Sequence, residues 1–125
     1  MAAPDYIPIA IELERSGLVW EPEIGDEVAD RGKVKRVSIL VDPRGLSPQE
    51  LRDSFIWIPT VEQLVQQLEA RQAMIYHAGV TQSLIYQAVV RTSFGVVETS
   101  AQSLRGAFAK ALKSVIESSV AEILH

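Results

Sequence analysis

His77 and His125 are the only imidazoles in the chain, and neither has the neighbours that histidine chemistry requires. A zinc site takes four convergent ligands, usually closely spaced histidines, cysteines and carboxylates. The chain has no cysteine. Thiolate nucleophiles, cysteine zinc sites, iron–sulfur clusters and disulfides are therefore excluded. His77 falls at the end of an apolar strand pattern, on the face shared with Ile75. A hydrogen-bonded or solvated imidazole is the expected role there, in place of a general base.

Carboxylates are densest at Glu21, Glu23, Asp26, Glu27 and Asp30. A hard cation needs several such oxygens converging on one point, but this spacing does not fit a calcium-binding helix–loop–helix. A solvated acidic surface is expected instead, with no metal. Glycines 25, 32, 45, 79, 95 and 106 stand alone, so neither a phosphate loop nor a dinucleotide fingerprint is present and no cofactor is expected. No serine sits in a nucleophile-elbow pattern, and Ser93 and Ser100 flank expected turns, where capping explains them. No catalytic residue is assigned.

Trp20 and Trp57 are the remaining candidates. Each closes a short apolar run that ends in a proline: Leu18-Val19-Trp20-Glu21-Pro22 and Phe55-Ile56-Trp57-Ile58-Pro59. Burying an indole stabilises a fold by ~3 kcal/mol or more, so a core position is the default. The functional alternative is an indole beside a proline that anchors a partner. Trp20, Trp57 and His77 together are the only ligand- or partner-binding group the sequence suggests.

The charge balance narrows the partners. Net charge is -4, which repels nucleic-acid phosphates at long range. Residues 1–30 hold eight acids against Arg15 alone, and the basic cluster Arg31, Lys33, Lys35 and Arg36 follows. That cluster is too short to reverse the repulsion and is expected to be the solvated end of a hairpin. No nucleic-acid partner is expected. The apolar stretches are too short for a bilayer, and the start of the sequence lacks the pattern of a secretory leader. The expectation is a cytoplasmic protein without a membrane partner.

The elements that must position these residues follow from periodicity. At 125 residues the chain suits one domain, with residues 1–46 as an N-terminal helix-and-hairpin segment and 47–125 as the main core. Met1 to Pro4 are expected to bury little. A helix is predicted over 7–16, ended by Gly17. Strands are predicted over 27–30 and 34–41, turning at Arg31-Gly32, with Val37, Ile39 and Val41 on one face. Asp42-Pro43-Arg44-Gly45 stops the second strand. Ser47, Pro48 and Glu50 spell a capping box for a short helix ending near Asp53, with Leu46 and Leu51 as its staple. Thr60 and Gln63 repeat that spacing ahead of a helix running to about Gln72, with Val61, Leu64, Val65 and Leu68 inward. Strands over 73–77, 84–92 and 96–98 follow, with Leu84, Tyr86, Ala88 and Val90 sharing a face. A helix over 101–124, capped by Thr99 or Ser100, carries the stripe Leu104, Phe108, Ala111, Leu112, Val115, Ser119 and Ile123.

The segment from Trp57 onward reads Trp-x-Pro-Thr, helix, hairpin, a strand with Glu98-Thr99, then an alanine-rich helix. On Trp57, Pro59, Thr60, Leu64, Glu98, Thr99, Ala107 and Ala111 it resembles the small phage-type α/β sandwich domains of unknown function carried by prophages and other mobile elements. The resemblance covers the C-terminal half. It implies helices packed on an antiparallel sheet and no particular reaction.

The expected fold is therefore α+β, a small antiparallel sheet packed by helices. The expected function is that of a non-catalytic accessory or protein-interaction domain, associated with mobile elements if the resemblance carries over. A small-molecule-binding domain or minor enzyme with its site near Trp20, Trp57 and His77 is the alternative. A homo-oligomer is a further expectation, because Val115, Ile116, Val120, Ile123 and Leu124 offer more apolar surface than one stripe requires.

Overall fold

Both capping boxes spelled by the sequence start helices. The computed structural model describes residues 6–43 and 45–124, without the side chains of 33–35 and 120–124. Expectations for Met1 to Pro4, Asp5, Arg44 and His125 fall outside the described residues. So do those for the side chains of Lys33, Val34, Lys35, Val120, Ile123 and Leu124. The chain divides into two compact units, Met1–Pro59 and Thr60–His125. The described residues form four helices and two three-stranded antiparallel sheets, an α+β protein.

The first unit opens with α1 (Tyr6–Ser16), which buries Tyr6, Ile7, Ala10 and Leu13. Its end is set by Gly17 at φ 116°. The Gly17 amide donates to Glu14 O at 3.1 Å and the Leu18 amide to Leu13 O at 3.1 Å. This pairing satisfies two of the last carbonyls and needs a left-handed residue between them. Strands β1 (Glu27–Asp30), β2 (Lys33–Ile39) and β3 (Phe55–Trp57) form a sheet in the order β2-β1-β3. Between β2 and β3 comes α2 (Pro48–Ser54), with the Ser47 hydroxyl accepting from the Glu50 amide and the Glu50 carboxylate accepting from the Ser47 amide.

One expectation for this unit is corrected. The second strand stops at Ile39, and the face shared by Ile39 and Val41 points to solvent, at 50% and 74% exposure. The register jumps between Ala29 and Asp30, and Leu40, just past the strand end, is the residue that enters the core. Residues 55–57 pair with β1 through Val28↔Trp57, Ala29↔Ile56 and Asp30↔Phe55. The division of the chain thus falls after Pro59, and the second tryptophan run belongs with the first.

In the second unit α3 (Val61–Ala70) starts at Thr60, whose hydroxyl accepts from the Gln63 amide. Leu64 and Leu68 are fully buried. The helix ends two residues short of Gln72, which itself turns left-handed at φ 60°. Strands β4 (Met74–Val80), β5 (Tyr86–Thr92) and β6 (Gly95–Ala101) pair in sequence order. The last helix, α4 (Leu104–Leu124), lies against β5, β6 and α3. Phe108 and Leu112 are buried, as are Ala88 and Val90 on β5. Of the expected inward positions, Phe108, Ala111, Leu112 and Val115 on the helix and Ala88 and Val90 on the strand are buried, and Leu104, Ser119 and Tyr86 are partly buried.

Three details differ from expectation here. Leu84 is 75% exposed with φ 62°; it closes the loop in place of joining the inward face. Its amide donates to Thr81 O at 3.0 Å, and Thr81 N donates to Ile85 O at 2.8 Å. This is the turn-plus-left-handed-residue solution for a hairpin loop. Thr99 and Ser100 do not cap α4. They lie in β6, which runs on to Ala101, and Ser103 starts the helix by accepting from the Gly106 amide at 2.9 Å. Ile116, a residue expected to be spare for self-association, is buried at 6% exposure.

The capping box of α2 has a pH signature. The amide and hydroxyl of Ser47 hold the Glu50 carboxyl below its ordinary value. A carboxyl lowered on folding stabilises above its unfolded value of about 4.3 and loses that contribution as pH falls through the lower folded value. Glu50→Gln keeps the reciprocal hydrogen bonds without the charge. Urea unfolding should find wild type more stable than this variant near neutrality, with the gap closing as pH drops below that unfolded value.

Candidate functional site

The two aromatic runs of the first unit meet at one cluster. Trp20 is 4% exposed, and its indole Nε1 donates to Asp26 Oδ2 at 2.8 Å. The same oxygen accepts from the Glu23 amide at 3.0 Å. Asp26 is itself buried, at 6% exposure. This overturns the expectation of a solvated surface for the whole acidic group. One member is an internal acceptor that folds residues 20–26 back on themselves. Glu21 and Glu23 are exposed, as expected. Among the described residues no cluster of acids and imidazoles can hold a metal ion.

Trp20 packs with Val28, Leu40 and Leu51, and Phe55 and Trp57 pack on the edge of that cluster. Phe55 and Trp57 are alternate residues on β3, so strand geometry aims both rings to one side. Between these rings, α1 and α2 lies a pocket of about 130 Å³. Ala10 and Glu14 of α1, residues 18–20, Arg31, Arg52, Phe55 and Trp57 line it. Sequence spacing hinted at this pairing only through the repeated aromatic-proline pattern. The structure brings Trp20 and Trp57 to one pocket.

The polar rim is ordered. Arg31, in the β1–β2 turn, donates from Nη2 to Glu14 Oε1 at 2.6 Å and from Nε and Nη2 to Arg52 O at 3.0 and 2.7 Å. Its own amide donates to Ser54 O at 3.1 Å. The basic cluster expected at a hairpin end is thus divided: Arg31 braces the pocket, while Arg36 is exposed. Arg52 donates from Nε to Trp20 O at 2.6 Å. Its terminal nitrogens meet no acceptor, and it has no ion-pair partner, among the described residues. Sequence reasoning missed Arg52, because an arginine in a short polar helix carries no positional signal.

One lining residue, Trp57, also carries an unmet donor. Trp57 Nε1 is buried without a hydrogen-bond partner among the described residues. Such a group costs about 1–3 kcal/mol, a cost that places of pure packing avoid. His77 is elsewhere. It belongs to the second unit, exposed on β4 opposite Val89, and it does not line this pocket.

A second hollow in the first unit, of about 460 Å³, runs along Ile39, Val41, Leu46 and Leu51. It is larger, and among the described residues its polar lining is Asp30, Ser38, Asp42 and Ser54, with no cation and no indole. No helix among the described residues is long and apolar enough to cross a membrane. No protein-family model, curated protein or solved structure matches the chain, so function rests on the pocket itself.

Asp26→Ala should destabilise the protein by about 2–3 kcal/mol, because it leaves a buried indole N–H and an amide without an ionic acceptor. Chemical denaturation gives the value. Tryptophan emission of the folded variant should shift to the red as Trp20 loosens.

Proposed function

We propose that this chain is a protein-interaction domain whose first unit captures a single ring-sized side chain of a partner. The observation that carries the proposal is the convergence of Trp20, Phe55 and Trp57 on one pocket. Buried aromatic anchors seated in such pockets supply most of the energy at protein interfaces. Pocket size separates this reading from a metabolite site. A volume of about 130 Å³ is close to the roughly 150 Å³ of an apolar cavity that holds benzene. Sites for whole metabolites or cofactors are usually about 300–1,000 Å³. One ring fits; a nucleotide or a flavin does not.

The small-molecule alternative loses support for a second reason. It placed its site near Trp20, Trp57 and His77 together, and His77 is not part of the pocket wall. The pocket lining offers cations and aromatic residues, which bind and orient. Its one carboxylate, Glu14, already accepts from Arg31.

The protein's two tryptophans both line the pocket, so they serve as built-in probes. In a ¹⁵N-labelled sample the two indole signals should move when N-acetylphenylalanine amide is added at millimolar concentration. The Trp57 signal should move more, since the Trp20 N–H is already held by Asp26. N-acetylalanine amide should leave both in place. Equal responses to the two amides, or no response to either, would contradict the pocket's role.

A further inference from the structure

The rim of the aromatic pocket shows which surroundings its ring must have. Within the pocket lining, one guanidinium is neutralised and one is not. Arg31 is paired with Glu14 at 2.6 Å. Arg52 has its Nε on a backbone carbonyl and no carboxylate partner among the described residues. Counting the lining residues Glu14, Arg31 and Arg52, the pocket mouth carries one net positive charge. This is a local reversal on a protein of net charge -4. At physiological ionic strength exposed charges are screened beyond about 8 Å, so the charges that line the pocket weigh more on its ligand than the net charge of the whole chain.

Geometry adds to charge. An arginine whose Nε is anchored has its guanidinium plane fixed, and its two terminal nitrogens still form one edge of the fork that matches a carboxylate. The Arg52 Nε bond to Trp20 O provides that anchor beside the ring that forms the pocket wall. A ring in the pocket and a carboxylate at Arg52 are therefore recognised together.

We propose that the occupant is an aromatic side chain within an acidic stretch of a partner protein, its ring among Trp20, Phe55 and Trp57 and a neighbouring carboxylate on Arg52. This rests on the pocket reading given above and adds the charge of the partner. The ring fills the available volume, so the carboxylates lie outside the pocket on the partner's flanking residues.

The test uses the whole 125-residue chain, with tryptophan emission and the indole ¹⁵N signals as readouts. Three blocked pentapeptides serve as probes: Asp-Asp-Phe-Asp-Asp, Lys-Lys-Phe-Lys-Lys and Asp-Asp-Ala-Asp-Asp. The acidic phenylalanine peptide should bind about tenfold more tightly than the basic one, equivalent to ~1.4 kcal/mol. That preference should shrink as salt is raised. Glu14→Gln removes the carboxylate that occupies Arg31 and, being on the exposed side of α1, should fold normally. It should tighten the acidic peptide about threefold, whereas Glu62→Gln, with the same change in net charge, should not. Arg52→Gln should abolish the charge preference in protein that circular dichroism shows to be folded.

Equal binding of both phenylalanine peptides, with no effect of Glu14→Gln, would overturn the acidic partner and leave the ring pocket standing. If neither phenylalanine peptide moved an indole signal, the pocket reading itself would fall. Phenylacetate binding as tightly as the acidic peptide would overturn the proposal in favour of a small aromatic acid.

Discussion

A buried carboxylate holds the first unit together around its pocket. Asp26 lies at 6% exposure, where an unpartnered charge would be costly. It is instead met by the Trp20 indole and the Glu23 amide on one oxygen. Its backbone is tied as well. Leu40 N donates to Asp26 O at 2.8 Å, and Gly25 N donates to Leu40 O at 2.7 Å. Charge-assisted bonds of this kind are short and directional. They set where the Trp20 ring lies, and the ring sets one wall of the pocket. Arg52 then fastens the other end of the same residue through Trp20 O, which links ring position to the charge at the mouth.

A chain of dependence follows from that carboxylate. Leu51 reaches the Trp20 cluster because α2 is started by Ser47 and Glu50. Phe55 and Trp57 reach it because α2 runs directly into β3, which pairs with β1. Arg31 completes the ring of contacts by joining α1, through Glu14, to the C-terminal end of α2, through Arg52 O. The helix starts are local in sequence, whereas the packing of Leu51 and Leu40 on Trp20, the strand pairing and the arginine bonds are long-range. Those few long-range contacts convert two similar pentapeptides into one site. The second unit is a separate small core of three strands and two helices, in which α4 buries Phe108, Leu112 and Val115.

Much of the local structure was legible. Both capping boxes, the left-handed stop at Gly17 and the inward faces of β5 and α4 follow from side-chain chemistry acting within a few residues. What was hidden depended on partners distant in sequence. Ile39 and Val41 alternate like a buried strand face, but β2 ends at Ile39, which pairs with Glu27, and that face lies outside with Leu40 inside. Leu84 has an apolar side chain, yet loop closure required a left-handed residue there, and that requirement overrode its pattern. Thr99 has a good capping side chain, but β6 extends through it to pair with Ala88, and its hydroxyl donates to Ala107 O. Asp26 was read with its acidic neighbours because composition does not reveal which carboxylate faces inward. Of the candidate site, the two indoles were legible as large residues beside prolines. They were grouped at one site only together with His77, which lies on β4 away from the pocket lining, and Arg52 was not legible, since its place depends on how β1 and β3 pair.

The exchange rate of the Trp20 indole proton tests this account most directly. If Asp26 holds that proton inside the first unit, exchange with deuterium must wait for the unit to open, and should be slowed ~100-fold or more relative to an exposed indole. An indole proton at Trp20 exchanging as fast as one in free solution would contradict the buried Asp26–Trp20 bond, and with it the pocket built upon it.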